Sequence, residues 1–240
     1  MLVRPIHPGD LIGVEGLPGQ PEQQSQTRRT PGVEAMGVVE SVGANVRAPH
    51  PGQRVAVFPA LGTWSDFVVV PADLAVPVPD GVSDETEALM LVNPLTLRML
   101  YRATENALRG QAGPVLQTAA GSSVGRLVSA AAVRHDLQLI NLVRSTSGAE
   151  KMRTLYPSQP VIATCDDDWR GQVRRHTGER GVQVVLDNIG GAMTQDLAEL
   201  LADGGTLISY GQLGSGTTPL EALPLMARAL TVRGGRYCAG

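Results

Sequence analysis

The chemistry in this chain begins at a turn. The stretch Val115–Ala132, VLQTAAGSSVGRLVSAAA, opens as an apolar run, turns through Gly121-Ser122-Ser123-Val124-Gly125, and continues in residues that suit a helix. A phosphate group needs close backbone approach, exposed N–H groups and the positive end of a helix. Gly121 removes a side chain where the chain would crowd the phosphates. Ser122 and Ser123 can cap the helix and donate to phosphate oxygens, and Gly125 lets the helix pack close to the strand. The glycine fingerprint of dinucleotide-binding turns is incomplete, because Ala119 and Gly121 stand in for its first two glycines. A tight strand-to-helix turn with no ligand has the same local signature, so the surroundings decide between the two.

The next apolar run ends in NLVRSTSGAEK (141–151), with Arg144 and Ser145 at the strand end and Lys151 soon after. An NAD site places an Asp or Glu there to bind the ribose 2′-hydroxyl. None is present, and a guanidinium suits a 2′-phosphate. The pattern therefore predicts NADPH in preference to NADH. The alternative for Arg144 is a surface residue that merely caps a strand.

These residues need elements to hold them. Six apolar runs, at 114–120, 137–143, 160–164, 182–189, 205–211 and 230–235, alternate with helix candidates at 123–134, 148–155, 168–177, 191–202 and 219–229. Continuous apolar strands separated by helices mean a parallel sheet covered on both faces. Six of them match a doubly wound nucleotide-binding sheet, so the fold class is α/β with a Rossmann domain at 91–240. Before residue 90 the composition shifts. MGVVESVG (36–43), QRVAVFP (53–59) and SDFVVVP (65–71) read as strands, AVPVPDGVS (75–83) as an extended piece ending in a turn, and 16–32 as a polar loop. Residues 1–90 thus form a partial, β-rich domain, and its first residues read as the inside of a strand. Residues 84–108 read as helix broken at Pro94.

Composition excludes several classes. Of 240 residues 42% are hydrophobic, ample for a core, and only 3% are aromatic, so that core is aliphatic. The net charge of −3, with no basic block, gives no support for a nucleic-acid surface. No apolar run approaches the ~20 residues that cross a membrane. Cys165 and Cys238 make no disulfide framework, and a cytoplasmic location is the expectation.

In order along the chain stand PIHPGDL (5–11), PGVEAMGVVESVG (31–43), PGQRVAV (51–57), GTWSDFVVVP (62–71), LVNPLTLRMLY (91–101), AAGSSVG (119–125), LDNIGG (186–191) and LISYGQL (207–213). This series resembles the medium-chain dehydrogenase/reductase superfamily in its zinc-free branch, and within it is most similar to 2-enoyl thioester reductases and quinone oxidoreductases. The resemblance implies a GroES-like catalytic domain ahead of the nucleotide domain. It implies reduction of an activated C=C bond or a quinone, a small electrophilic substrate such as an enone, enoyl thioester or quinone. It also implies that Asn93 lies near the nicotinamide and its ribose, Ser122 to Val124 at the pyrophosphate, Arg144 with Ser145 at the 2′-phosphate, and Tyr210, Gly211, Gln212 and Leu213 along the nicotinamide half. Asn93 as a cap of the segment at Pro94, and Tyr210 as a filler of the sheet edge, are the plainer readings of those two residues.

Zinc members of the superfamily carry a Cys and a Gly-His-Glu. This chain reads Gly32-Val33-Glu34 and has no cysteine before Cys165, so no metal is expected. His50, His135 and His176 are scattered and read as surface residues. No tyrosine precedes Tyr101, whereas the enoyl reductases carry one early in the chain. His7 stands where Asn is more usual. It reads either as a partner for the nicotinamide amide or a substrate oxygen, or as a structural histidine. Relative to the family the chain reads as truncated at both ends. Two alternatives follow: a nucleotide-binding protein with little or no catalysis, and an alcohol dehydrogenase-like oxidoreductase, the latter opposed by the missing zinc ligands. The sixth strand, LTVRGG (230–235), ends the doubly wound order at a sheet edge. Leu230 and Val232 alternate with Thr231 and Arg233, which leaves one face to be buried and the edge to pair, with too few residues after Gly235 for a covering helix. A homodimer through this strand is the expectation.

Overall fold

The structure is a computed structural model of the chain and describes residues 1–15, 30–214 and 216–235. Most of the loop expected at 16–32, and Cys238, lie outside the described residues. Two compact units divide the chain, Met1–Leu95 and Thr96–Gly240.

The first unit holds an antiparallel sheet of β1 (Ala35–Val38), β2 (Arg54–Val57) and β3 (Ala75–Pro77), in that order. Ala35, Val55, Val57, Ala60 and Ala75 form its small aliphatic core. The chain start touches this sheet at one antiparallel bridge, Val3 to Met36, and then forms a helix the sequence did not announce, α1 (Pro8–Glu15). His7 thus precedes a helix rather than sitting in a strand turn. The expected strand at 65–71 is absent. Its residues begin in a bend and have no ladder partner among the described residues, and Val69 is 99% exposed. An apolar run becomes a strand only where another strand takes its N–H and C=O groups.

Two helices follow, α2 (Asp84–Glu87) and α3 (Val92–Leu108). The break expected at Pro94 falls instead at residues 88–91, and Pro94 sits in the first turn of α3. There the missing N–H costs nothing, since first-turn amides have no partner within the helix.

The second unit is a parallel six-stranded sheet. Its strands are β4 (Val115–Gln117), β5 (Leu139–Val143), β6 (Val161–Ala163), β7 (Val182–Asp187), β8 (Leu201–Ser209) and β9 (Thr231–Gly234). All six expected runs are found. The sheet order is β6-β5-β4-β7-β8-β9, so the chain winds outward from β4 on one side, then returns and winds outward on the other. The connecting helices are α4 (Ser123–Arg134), α5 (Thr146–Leu155), α6 (Trp169–Thr177), α7 (Met193–Leu200) and α8 (Ala222–Ala227). One face packs Leu116, Ile140, Leu142 and Leu207 against Trp169, Val173, Leu197 and Leu200 of α6 and α7. The other packs Val115, Leu139, Leu186 and Ile208 against Leu100 of α3 and Val128 of α4. The edge strand β9 departs from expectation in one respect: all four of its residues are exposed, Val232 at 38%, and only the neighbouring Leu230 packs partly against the core.

A polar chain runs through this aliphatic interior. Gln117 Nε2 on β4 donates to Gly125 O at 3.0 Å, Ser129 Oγ at 2.9 Å and Asn141 Oδ1 at 2.6 Å. Ser129 Oγ donates to Asn141 Oδ1 at 2.9 Å, Asn141 Nδ2 to Gln159 Oε1 at 2.9 Å, and Gln159 Nε2 to Ser129 O at 2.8 Å. Asn141 is the hub, accepting twice and donating onward to Gln159. Replacement by Leu leaves buried Gln159 Oε1 without its donor and removes one acceptor each from Gln117 Nε2 and Ser129 Oγ. Asn141→Leu is expected to cost roughly 2–4 kcal/mol. Urea unfolding should show a lower midpoint with unchanged slope.

Candidate functional site

The turn between β4 and α4 is built by backbone geometry. Ala119, at the first glycine position of the fingerprint, adopts a left-handed φ of 49°, which makes the sharp turn and costs an alanine roughly 1–2 kcal/mol. Ser122 N donates back to Ala119 O at 2.9 Å. Ser122 then caps α4, its Oγ accepting from Gly125 N at 3.1 Å, while its own O–H stays available to donate. The N–H groups of Ser123 and Val124 have no acceptor among the described residues, as the first amides of a helix must lack one internally. The Val124 side chain packs on the core, so that residue offers only its backbone.

The glycines divide two tasks. A Cβ on Gly121 would meet nothing within 4 Å, so the space over the turn is open. A Cβ on Gly125 would lie 2.6 Å from Ala119 O and 2.7 Å from Ala120 Cα, so glycine is needed for the helix to touch the strand. An open turn, free amides and a helix of 12 residues pointing its positive end at that opening fit an anionic pyrophosphate.

Arg144 follows β5 directly. It is exposed and has no ion-pair partner among the described residues, so its guanidinium is free for an anion. Ser145 caps α5, its Oγ accepting from Gly148 N at 3.2 Å. Together with the turn, these residues line the carboxyl ends of β4 and β5, where doubly wound sheets bind dinucleotides.

On the other side of β4, Asp187 ends β7. Its buried carboxylate accepts from Thr118 Oγ1 at 3.2 Å, Ile189 N at 2.9 Å, Gly190 N at 3.3 Å and Thr194 Oγ1 at 2.8 Å. Tyr210 follows β8. Its partly buried side chain packs against the core cluster, and its buried hydroxyl has no partner among the described residues. Burial first, and then the charge of Asp187, push that phenol well above the ordinary tyrosine range, so it stays protonated. Gly211 is half-buried, and Gln212 and Leu213 are exposed.

In the first unit, His7 and Asn93 hold different positions. Asn93 is buried in the first turn of α3. His7 Nε2 lies 2.6 Å from Glu34 Oε2, with the imidazole 13% exposed. Glu34 itself is fully buried, and its Oε1 accepts from Leu91 N at 2.9 Å and Val92 N at 2.8 Å. It therefore caps α3 and holds His7 at once. His7 is thus engaged structurally through Nε2, which leaves Nδ1 as its remaining ring nitrogen. His50, His135 and His176 are exposed. Sequence reasoning passed over Gln117, Thr118, Asp187 and Glu34. The signal for Asp187 was present, an acid at a strand end before Asn188-Ile189-Gly190-Gly191.

A doubly wound sheet with a phosphate-suited turn, preceded in the chain by a small β-rich unit, defines a dinucleotide-binding fold. The alcohol dehydrogenase GroES-like domain family matches residues 5–80, and the zinc-binding dehydrogenase family matches residues 123–239. A Bacillus thuringiensis protein assigned as an NADPH:quinone reductase is 30% identical, with a TM-score of 0.83 over 98% of this chain and 69% of that one. Mitochondrial enoyl-acyl-carrier-protein reductases of Bos taurus and Homo sapiens are 27% and 28% identical over 98% of this chain. The chain belongs to the medium-chain dehydrogenase/reductase superfamily. It spans 62% of the length of those two mitochondrial relatives.

The turn yields a paired expectation. Gly125→Ala should destabilise by roughly 1–3 kcal/mol, because the new carbon meets backbone that cannot step aside. Ala119→Gly should instead stabilise by up to about 1 kcal/mol, since glycine accepts the left-handed φ. Chemical denaturation of both variants checks the opposite signs.

Proposed function

We propose that this chain forms the core of a zinc-independent reductase that uses NADPH to reduce an activated C=C bond or a quinone. Arg144 carries the cofactor reading: an unpaired guanidinium stands at the end of β5, where NAD sites keep an acid. The reductases of quinones and enoyl thioesters among its relatives support the reaction class. When bound, the cofactor supplies a hydride to the electrophilic carbon of the substrate, and a proton from solvent completes the reduction.

The chain's part is to bind and orient. Gly121, Ser122, Ser123, Val124 and Gly125 take the pyrophosphate through free amides and the helix end. Arg144 and Ser145 take the 2′-phosphate. Gly211, Gln212 and Leu213 serve the nicotinamide half, with Tyr210 behind them as packing. His7 and Asn93 remain the residues proposed for the substrate side, His7 through Nδ1. A quinone or simple enone is favoured over an enoyl thioester, because no tyrosine precedes Tyr101. Zinc is left out because Val33 stands where a ligand histidine would, and no cysteine lies in the first unit. The cysteine content suits a reducing compartment, taken as the cytoplasm.

The proposal includes a homodimer. β9 is the last strand of the sheet order, and its far edge has no strand partner among the described residues. A second β9 across a two-fold axis would satisfy that edge and continue the sheet.

Two measurements follow. By titration calorimetry NADPH should bind at least tenfold tighter than NADH, about 1.4 kcal/mol, and Arg144→Asp should narrow or reverse the preference. Equal affinities in the unmutated protein would defeat the cofactor assignment. Light scattering at tens of micromolar should give a dimer that Val232→Pro disrupts, because proline removes an N–H and imposes a ring. A clean monomer would reject the edge pairing.

A further inference from the structure

The sheet order reverses between β4 and β7, and Asp187 sits at that reversal, fully buried. Every group its carboxylate meets is a donor: two threonine hydroxyls and two backbone amides. Among the described residues no cation pairs with it. Thr118 extends the arrangement, since its Oγ1 also accepts from Asn188 N at 2.8 Å. Three successive amides, 188 to 190, are therefore held by one Thr–Asp pair.

The loop so fixed sets a second loop. Leu213 N donates to Asn188 O at 3.1 Å, Gly214 N to Ile189 O at 2.7 Å, and Gly191 N to Thr218 Oγ1 at 3.0 Å. Gly211 lies so close to the Asn188 side chain that a Cβ there would collide with Oδ1. Tyr210 N donates to the Asp187 carbonyl at 2.9 Å. A residue inside the sheet thus dictates the backbone of both loops that follow β7 and β8.

We propose that Asp187 is a positioning residue that presets loops 188–191 and 210–214 for the nicotinamide half of the cofactor. The inference rests on the NADPH reading. With the 2′-phosphate at Arg144 on β5 and the pyrophosphate at the turn after β4, a dinucleotide crossing the reversal arrives over β7 and β8. The positioning requires a group that only accepts. An asparagine of the same shape presents an NH2 to neighbours that are all donors.

The test uses the whole chain and two probes, NADPH and 2′-phosphoadenosine diphosphoribose, which keeps the 2′-phosphate and pyrophosphate but lacks nicotinamide. Asp187→Asn should weaken NADPH by about tenfold or more while changing the truncated probe by less than about twofold. Thr118→Val should act in the same direction, and Thr118→Ser, which keeps the hydroxyl, should restore the unmutated affinities. If Asp187→Asn does not fold, the two Thr118 variants carry the comparison alone. Weakening of both probes in proportion, or of neither, overturns the proposal and leaves the NADPH reading standing. An unmutated protein that binds neither probe overturns the NADPH reading, and the proposal with it.

Discussion

The first turn of α4 lies against the end of β4 with no room for a side chain at Gly125. Much of the second unit follows from that approach. It brings Gly125 O within reach of Gln117 Nε2, and so roots a polar chain that continues through Ser129 and Asn141 to Gln159. It aims the free amides of Ser123 and Val124 at the opening above Gly121. A larger residue at 125 would lift the helix and break both relations together. The packing constraint and the anion-binding geometry are one feature seen from two sides, because a helix end serves an anion only if strand and turn hold it still.

The same logic sets the cost of burying polar groups in an aliphatic core. Asn141 and Gln117 sit on strands whose other residues are Val, Leu and Ile, and each would be expensive there alone. Their amides instead satisfy one another and the helix carbonyl. Only Gln117 Oε1 is left without a partner among them. The network gives β4, β5 and α4 a single relative placement, which generic aliphatic packing would specify less sharply.

How far the sequence discloses this varies by element. The six strands and their order were legible, because continuous apolar runs spaced by helices allow few arrangements. The turn was legible because glycines and serines there answer to a backbone requirement, and the place of Arg144 because it closes an apolar run. The first unit was less so. SDFVVVP has the composition of a strand, yet Val69 stands in solvent, since strand formation depends on a neighbour that composition does not reveal. The helix over Pro8–Glu15 was hidden behind a proline and two glycines. The helix break was placed at Pro94 because proline is the obvious breaker, whereas the helix start was set by Glu34, 57 residues earlier than Leu91. Contacts of that range leave no periodic trace.

Glu34 and Asp187 are buried acids that each hold two backbone amides. Among the described residues neither pairs with a lysine or arginine. Glu34 takes the amides of Leu91 and Val92 and the imidazole of His7, and Asp187 takes two amides and two hydroxyls. A cation would neutralise such a charge but fix little, since its flexible stem tolerates many positions. Backbone amides accept one geometry only. Satisfying a buried carboxylate with amides therefore converts the cost of desolvation into a specification of chain path. At Glu34 the specified path is the entry into α3. At Asp187 it is the exit from β7, where the sheet order reverses and the chain has no helix or ladder to define it.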